Sequence, residues 1–157
     1  MLVCSFGVIL QEIIFNKPKM THKVNTSWKG NMLFDANVSG HHVMMDSLPA
    51  GGGADEGSRP KELMLAALAG CSGMDVVSIL KKMRVEITGL DIRIEANVTE
   101  EHPKHYDKMH VIYEFTGSDL PMEQLKKAVD LSQERYCGVA SVYKQVMEVT
   151  YEIVITN

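Results

Sequence analysis

Apolar and polar residues alternate along several stretches of this chain. Val24, Thr26 and Trp28 share one face of an extended run. Beyond a Lys29-Gly30-Asn31 turn, Met32, Phe34, Ala36 and Val38 alternate with Asp35 and Asn37, a pattern that predicts a β-hairpin. Ser39-Gly40 then turns the chain into a third run, His41 to Asp46, so the opening segment reads as a three-stranded antiparallel meander. Further on, Leu90, Ile92, Ile94, Ala96 and Val98 alternate with Asp91, Arg93, Glu95 and Asn97. Met109, Val111, Tyr113 and Phe115 do the same opposite His110 and Glu114, and Val146 to Ile155 alternates once more. These are three more half-buried strands.

Between the two groups of strands the period changes. Ser58 and Pro60 stand where an N-cap hydroxyl and a first-turn proline belong, and apolar residues continue to about Met83, with Lys81, Lys82 and Arg84 at the negative C-terminal end. Because Leu63, Met64, Leu65, Ala66, Ala67, Leu68 and Ala69 cover every direction of the helical wheel, this helix must be surrounded by protein. A chain this small can hardly surround it alone, so a second subunit is expected to complete the enclosure. Asp119 and Pro121 open a second helix with Leu125, Ala128, Val129 and Leu131 on its apolar side, ending near Tyr136. The glycine-rich stretch from Pro49 to Gly57 shows no apolar period and reads as a flexible surface loop. Strands, helix, two strands, helix, strand is an α+β order.

The length of 157 residues and a hydrophobic content of 45% fit one compact domain with a real core. A net charge of −4 with scattered cations argues against nucleic acid or an anionic membrane as partner. The cysteines Cys4, Cys71 and Cys137 are too few and too widely spaced for a disulfide-stapled secreted domain, and no CxxC or Cys/His spacing of zinc type occurs. A reducing cytoplasm is the natural compartment. The uncharged run Leu63 to Met74 is shorter than the roughly 20 residues a membrane span needs. Residues 1–20 lack a basic n-region and a small-residue cleavage site; they read as an extension of unknown role, with the organised domain at 21–157.

Cys71 and Cys137 are the candidate reactive groups. Cys71 lies mid-helix among Leu and Ala, where burial raises a thiol's pKa and the helix dipole has died away. Asp75, one turn further on the same face, disfavours a thiolate unless a cation neutralises it. On these grounds Cys71 reads first as an inert core residue. Glu62 is on the opposite side of the helix, roughly 13 Å down the axis, and could act only by orienting a cation that reaches over; it serves equally as a favourable charge in the first turn. Cys137, after Arg135 and before Gly138, is expected where one helix ends and a short segment begins, a setting that can lower a thiol's pKa; a buried small residue is an equal reading. His102, His105 and His110 lie near Glu100 and Glu101, but Pro103 breaks their spacing, so no metal site is expected there. His41 and His42, adjacent on a strand, point to opposite faces.

Two segments carry a family resemblance: Ser58-Arg-Pro-Lys-Glu-Leu-Met-Leu-Ala-Ala-Leu-Ala-Gly-Cys71-Ser-Gly-Met-Asp-Val-Val-Ser-Ile-Leu80, and Asp130-Leu-Ser-Gln-Glu-Arg-Tyr-Cys137-Gly-Val-Ala. Together they resemble the signatures of the OsmC/Ohr family of osmotically induced and organic hydroperoxide resistance proteins, in its shorter OsmC-like branch. The resemblance runs in register from about Lys23 to the C-terminus. It implies an intertwined homodimer in which two central helices are wrapped by sheets from both chains. It also implies a cofactor-free peroxidase in which Cys71 is the peroxidatic cysteine, attacking an organic hydroperoxide to become a sulfenic acid. Cys137 is then the resolving cysteine that closes a disulfide, and a dithiol such as dihydrolipoamide is the reductant.

Glu62 resembles the family's helix-start acid, one residue later than usual, where Lys61 stands in its place. The family's early-strand arginine has no counterpart, since no arginine precedes Arg59; Lys29 is the candidate activating cation, as a point charge without bidentate geometry. The alternative is a non-catalytic dimer of the same fold, its cysteines lining an apolar pocket for a small ligand with Asp75 keeping Cys71 protonated. Hydrolysis by a thiol nucleophile is a weaker third reading, because no histidine base is fixed near either cysteine.

Overall fold

The computed structural model describes residues 20–156. The expected N-terminal extension, with Cys4, lies outside the described residues but for Met20. The chain divides into two compact units, one up to Gly57 and one from Ser58.

The first unit is the anticipated meander: β1 (Asn25–Gly30), β2 (Leu33–Val38) and β3 (His41–Met45), paired antiparallel in that order. Trp28 faces Phe34, and Phe34 faces Met45. The first turn centres on Asn31 and Met32, one residue later than the sequence suggested. Asn31 takes a left-handed φ of 45°, a conformation asparagine tolerates, and its carbonyl accepts the Trp28 indole N–H at 2.9 Å. The sheet buries little: Ala36 is covered, whereas Trp28 is 65% exposed.

The glycine-rich segment is built rather than loose. Asp46, almost fully buried, accepts the backbone N–H of Ser47 at 2.7 Å through Oδ1, and those of Ala54 and Glu56 at 2.9 and 3.0 Å through Oδ2. This carboxylate gathers a 3-10 turn at Pro49–Gly51 and the chain after it. A Cβ on Gly53 would lie 2.0 Å from the Ser47 carbonyl oxygen, and one on Gly57 2.6 Å from the Met44 backbone. These glycines therefore serve close approach, not the flexibility expected from composition.

The second unit contains α1 (Pro60–Met83), β4 (Gly89–Val98), β5 (Tyr106–Thr116), α2 (Met122–Leu131), α3 (Gly138–Tyr143) and β6 (Glu148–Thr156). Its sheet order is β4-β5-β6, with β5 antiparallel to β4 and parallel to β6. As the middle strand, β5 is buried on both faces over Val111, Ile112 and Tyr113, so it is more enclosed than its alternating pattern implied. Leu68, Val76 and Leu80 of α1 join Leu125 and Val129 of α2 and Tyr113 and Phe115 of β5 in one core. Each such side chain contributes roughly 1.5–3 kcal/mol by leaving water.

Pro60 opens α1 as expected, but the N-cap is Arg59, without a side-chain cap hydrogen bond, rather than Ser58. The helix closes on Arg84 in the left-handed region, its N–H turned back to the carbonyls of Leu80 and Lys81. Apolar residues continue past Asp75 through Leu80, so α1 is by length and composition alone long enough to cross a membrane; the sequence reading, which counted only the uncharged run, underestimated it. One stripe of α1, comprising Ala66, Ala67, Gly70, Met74 and Val77, stays exposed, with Met74 at 72%. An apolar groove of about 580 Å³ between Gly70, Gly73, Met74 and Val77 of α1 and Leu90 and Ile92 of β4 continues this stripe.

Candidate functional site

Cys71 occupies the middle of α1, and Asp75 follows one turn later on the same face. Cys137 reaches this face from the other end of the unit. After α2 the chain makes a π-helical turn, Ser132–Tyr136, closed by a hydrogen bond from the Cys137 N–H to the Ser132 carbonyl at 2.9 Å. The wider turn ends the helix with Cys137 in extended conformation, φ −71° and ψ 101°, as the N-cap of α3. As a result Cys71 Sγ, Cys137 Sγ and a carboxylate oxygen of Asp75 all lie within 4.8 Å of one another. Both cysteines are free thiols.

The two thiols differ. Cys71 is half-buried, whereas Cys137 is 2% exposed. Cys137 Sγ accepts the Ala140 N–H at 3.3 Å, the N-cap role more often filled by a hydroxyl or carboxylate. That donor favours a thiolate, yet burial, seconded by the hydrogen bond with Cys71, pushes the Cys137 thiol up to about 11. Of the two sequence readings of Cys137, the buried small residue is the one found and the lowered thiol is not: the backbone N–H groups do not compensate for the water that burial removes.

Beneath the thiols runs a buried polar network. Ser72 Oγ is hydrogen-bonded to the Tyr113 hydroxyl and lies 3.0 Å from Ser132 Oγ. Gln133 Nε2 donates to the Tyr113 hydroxyl at 2.7 Å, and Ser132 Oγ is 3.3 Å from Asp75 Oδ2. Lys144 Nζ reaches the Gln133 carbonyl at 2.9 Å. Burial, first of all, raises the Tyr113 phenol, so it stays neutral and able to donate. Gln133 Oε1 is buried without a hydrogen-bond partner among the described residues. This network ties the π-turn that carries Cys137 to the helix that carries Cys71. Sequence reasoning missed it: Tyr113 fell on an apolar face and read as core, and the one available signal was the pair of serines interrupting apolar helical faces. A cleft of about 310 Å³ opens beside Asp75, lined by Ser78, Ile79, Lys82, Leu131 and Tyr136 among others.

Glu62 stands exposed in the first turn of α1, apart from the thiol cluster; its charge, after burial, helps raise the Tyr106 phenol. Lys29, in the first unit, lies 3.5 Å from Asp35, whose carboxyl is held below its ordinary range by a hydrogen bond from His42 and then by Lys29. The histidines considered for metal do not converge: His105 Nδ1 contacts the Pro103 carbonyl and His110 Nδ1 contacts Thr150. Among the described residues, Cys71, Asp75 and Cys137 alone form a convergent set of three Cys, His, Asp or Glu side chains.

Among the described residues, two three-stranded sheets, three α-helices and a facing thiol pair define an α+β protein with a dithiol site. Residues 52–152 match the family model for OsmC-like protein. Protein YhfA of Escherichia coli K12 is 33% identical over 135 residues, covering 84% of this chain and 98% of the relative. A hypothetical protein from Aquifex aeolicus VF5 superposes with a TM-score of 0.75 at 27% identity, over 88% of this chain and 100% of that one. The organic hydroperoxide resistance protein OhrB of Bacillus subtilis shares the fold, with a TM-score of 0.59 at 20% identity over 85% of this chain and 98% of its own. The chain belongs to the OsmC/Ohr family.

Proposed function

We propose that the protein is a cytoplasmic, homodimeric thiol peroxidase that reduces organic hydroperoxides through Cys71 and Cys137. The observation that carries this reading is the meeting of two free thiols, distant in sequence, on one face of α1. The more accessible Cys71 is the nucleophile. Its thiolate attacks the terminal peroxide oxygen, the O–O bond breaks, and the alkoxide takes a proton and leaves as the alcohol, giving Cys71 sulfenic acid. The Cys137 sulfur then attacks the Cys71 sulfur and water leaves, closing a disulfide, which an external dithiol reduces by exchange. The high pKa of Cys137 suits this order, because a protonated resolver does not compete for peroxide. Glu62 is proposed as the acid that orients a cation toward the Cys71 thiolate. The exposed stripe of α1 and its groove support the dimer, since an apolar face of this kind marks an interaction surface.

Asp75 favours a second reading, a dimer that binds a small ligand without turnover, because a carboxylate beside both sulfurs opposes a thiolate. One experiment separates the two. Reduced, chelator-treated protein is mixed with cumene hydroperoxide, and free thiols are counted in wild type, Cys71→Ser and Cys137→Ser. The peroxidase loses two thiols in wild type and stops at a sulfenic acid in Cys137→Ser; the binding protein loses none.

A further inference from the structure

We propose that the reduced cluster of Cys71, Asp75 and Cys137 is a zinc site, with three protein ligands and a fourth position left for water. Two sulfurs and one carboxylate oxygen are a donor set that suits Zn²⁺ by its preference for thiolate with a borderline oxygen ligand, and three ligands plus an open position is a known arrangement for that ion. Bonds of about 2.3 Å to sulfur and 2.0–2.2 Å to oxygen set the edges of a tetrahedral site near 3.7 Å. The three donor atoms lie within 4.8 Å of one another, so closure takes about 1 Å of side-chain adjustment at most.

The surroundings fit as well. Ser132 Oγ, 3.3 Å from Asp75 Oδ2, orients the carboxylate from outside, as groups beyond a metal's own ligands commonly do. The Ala140 N–H fixes the Cys137 sulfur. Asp75 also lines the cleft of about 310 Å³, so the carboxylate side of the cluster adjoins open space. Zinc also gives Asp75 a role that a bare thiolate does not. Binding replaces the two thiol protons, which pass to solvent, and leaves a site of net charge −1. No local spacing hints at this set, because the ligand positions follow no zinc-finger pattern.

The test uses reduced, chelator-treated full-length protein titrated with Co²⁺ without peroxide, so its failure is separate from any failure to reduce hydroperoxides. One Co²⁺ per chain should produce a thiolate-to-cobalt charge-transfer band with the intense visible bands of four-coordination, and one equivalent of Zn²⁺ should abolish both. Cys71→Ser and Cys137→Ser should each lose most of the charge-transfer intensity, Asp75→Asn should weaken binding at least about tenfold, and Cys4→Ser should change nothing. Serine is itself a good N-cap, which protects the fold of Cys137→Ser. A measurement on the wild type needs no variant: Zn²⁺ should shield Cys71 and Cys137, but not Cys4, from alkylation. Absence of the band, its survival in Cys71→Ser, unchanged affinity in Asp75→Asn, or alkylation indifferent to Zn²⁺ would overturn the assignment.

Discussion

Replacing Tyr113 by Phe removes a single oxygen from the buried floor of the site while keeping the ring that packs against Phe115 and, edge-on, against Tyr151. The loss falls unequally on its two partners. Ser72 keeps Ser132 Oγ at 3.0 Å, but Gln133 Nε2 loses its acceptor, and the other end of that amide already lacks a partner. One newly orphaned buried donor costs about 1–3 kcal/mol. Urea unfolding should show this as a lower midpoint with an unchanged slope. In a Gln133→Leu background the same Tyr113→Phe change should cost far less, since removing both partners of a buried hydrogen bond can be nearly neutral. The π-turn also carries Cys137, so Tyr113→Phe should slow closure of the Cys71–Cys137 disulfide while sparing the first oxidation at Cys71. A Tyr113→Phe protein as stable as wild type, or a cost identical in the two backgrounds, would refute the network argument.

Other consequences can be measured directly. Cys137 is only 2% exposed and burial pushes its thiol up to about 11, whereas Cys71 is half-buried, so iodoacetamide followed by peptide mass analysis should label Cys71 well before Cys137; equal labelling would contradict the burial argument. Because the folded-state pKa of Cys137 is the higher one, its neutral form supports the fold fully below about pH 9, and this support is lost as pH rises toward 11. The thermal midpoint should therefore fall over that window, and fall less in Cys137→Ser. In the first unit, Asp46→Ala frees three backbone N–H groups, two of them on exposed residues that can turn to water. The expected cost is about 1–3 kcal/mol, with faster hydrogen exchange at Ala54 and Glu56; unchanged exchange would show that the carboxylate does not hold the loop.

The elements were legible wherever one face of an element meets the core. Among the described residues, alternation located β4, β5 and β6, and the change of period around Ser58 located α1, because these patterns record burial directly; the same alternation located β1 and β2 although their sheet buries little beyond Ala36. The turn at Asn31 and the cap at Arg59 shifted by one residue, since neighbouring residues can share those backbone roles. Composition misled at Gly53 and Gly57: a glycine needed for close approach looks in sequence like one that confers freedom, and the cause, Asp46, lies outside the glycine run. The site was legible only in part. Cys71 and Asp75 share a helix, so their juxtaposition follows from a four-residue step. The arrival of Cys137 depends on the π-turn and on hydrogen bonds from Ser72, Tyr113 and Gln133, long-range contacts that no local spacing encodes.

Acting as the proposed peroxidase, the protein should join Cys71 to Cys137 when it is oxidised. Reduced protein is treated with one equivalent of cumene hydroperoxide, quenched with an alkylating agent, digested without reductant and weighed peptide by peptide. The digest should contain a cross-linked pair of the Cys71 and Cys137 peptides, lighter by two hydrogens than the separate peptides and restored to them by a dithiol. Recovery of both peptides alkylated and unlinked, with the hydroperoxide unconsumed, would contradict it.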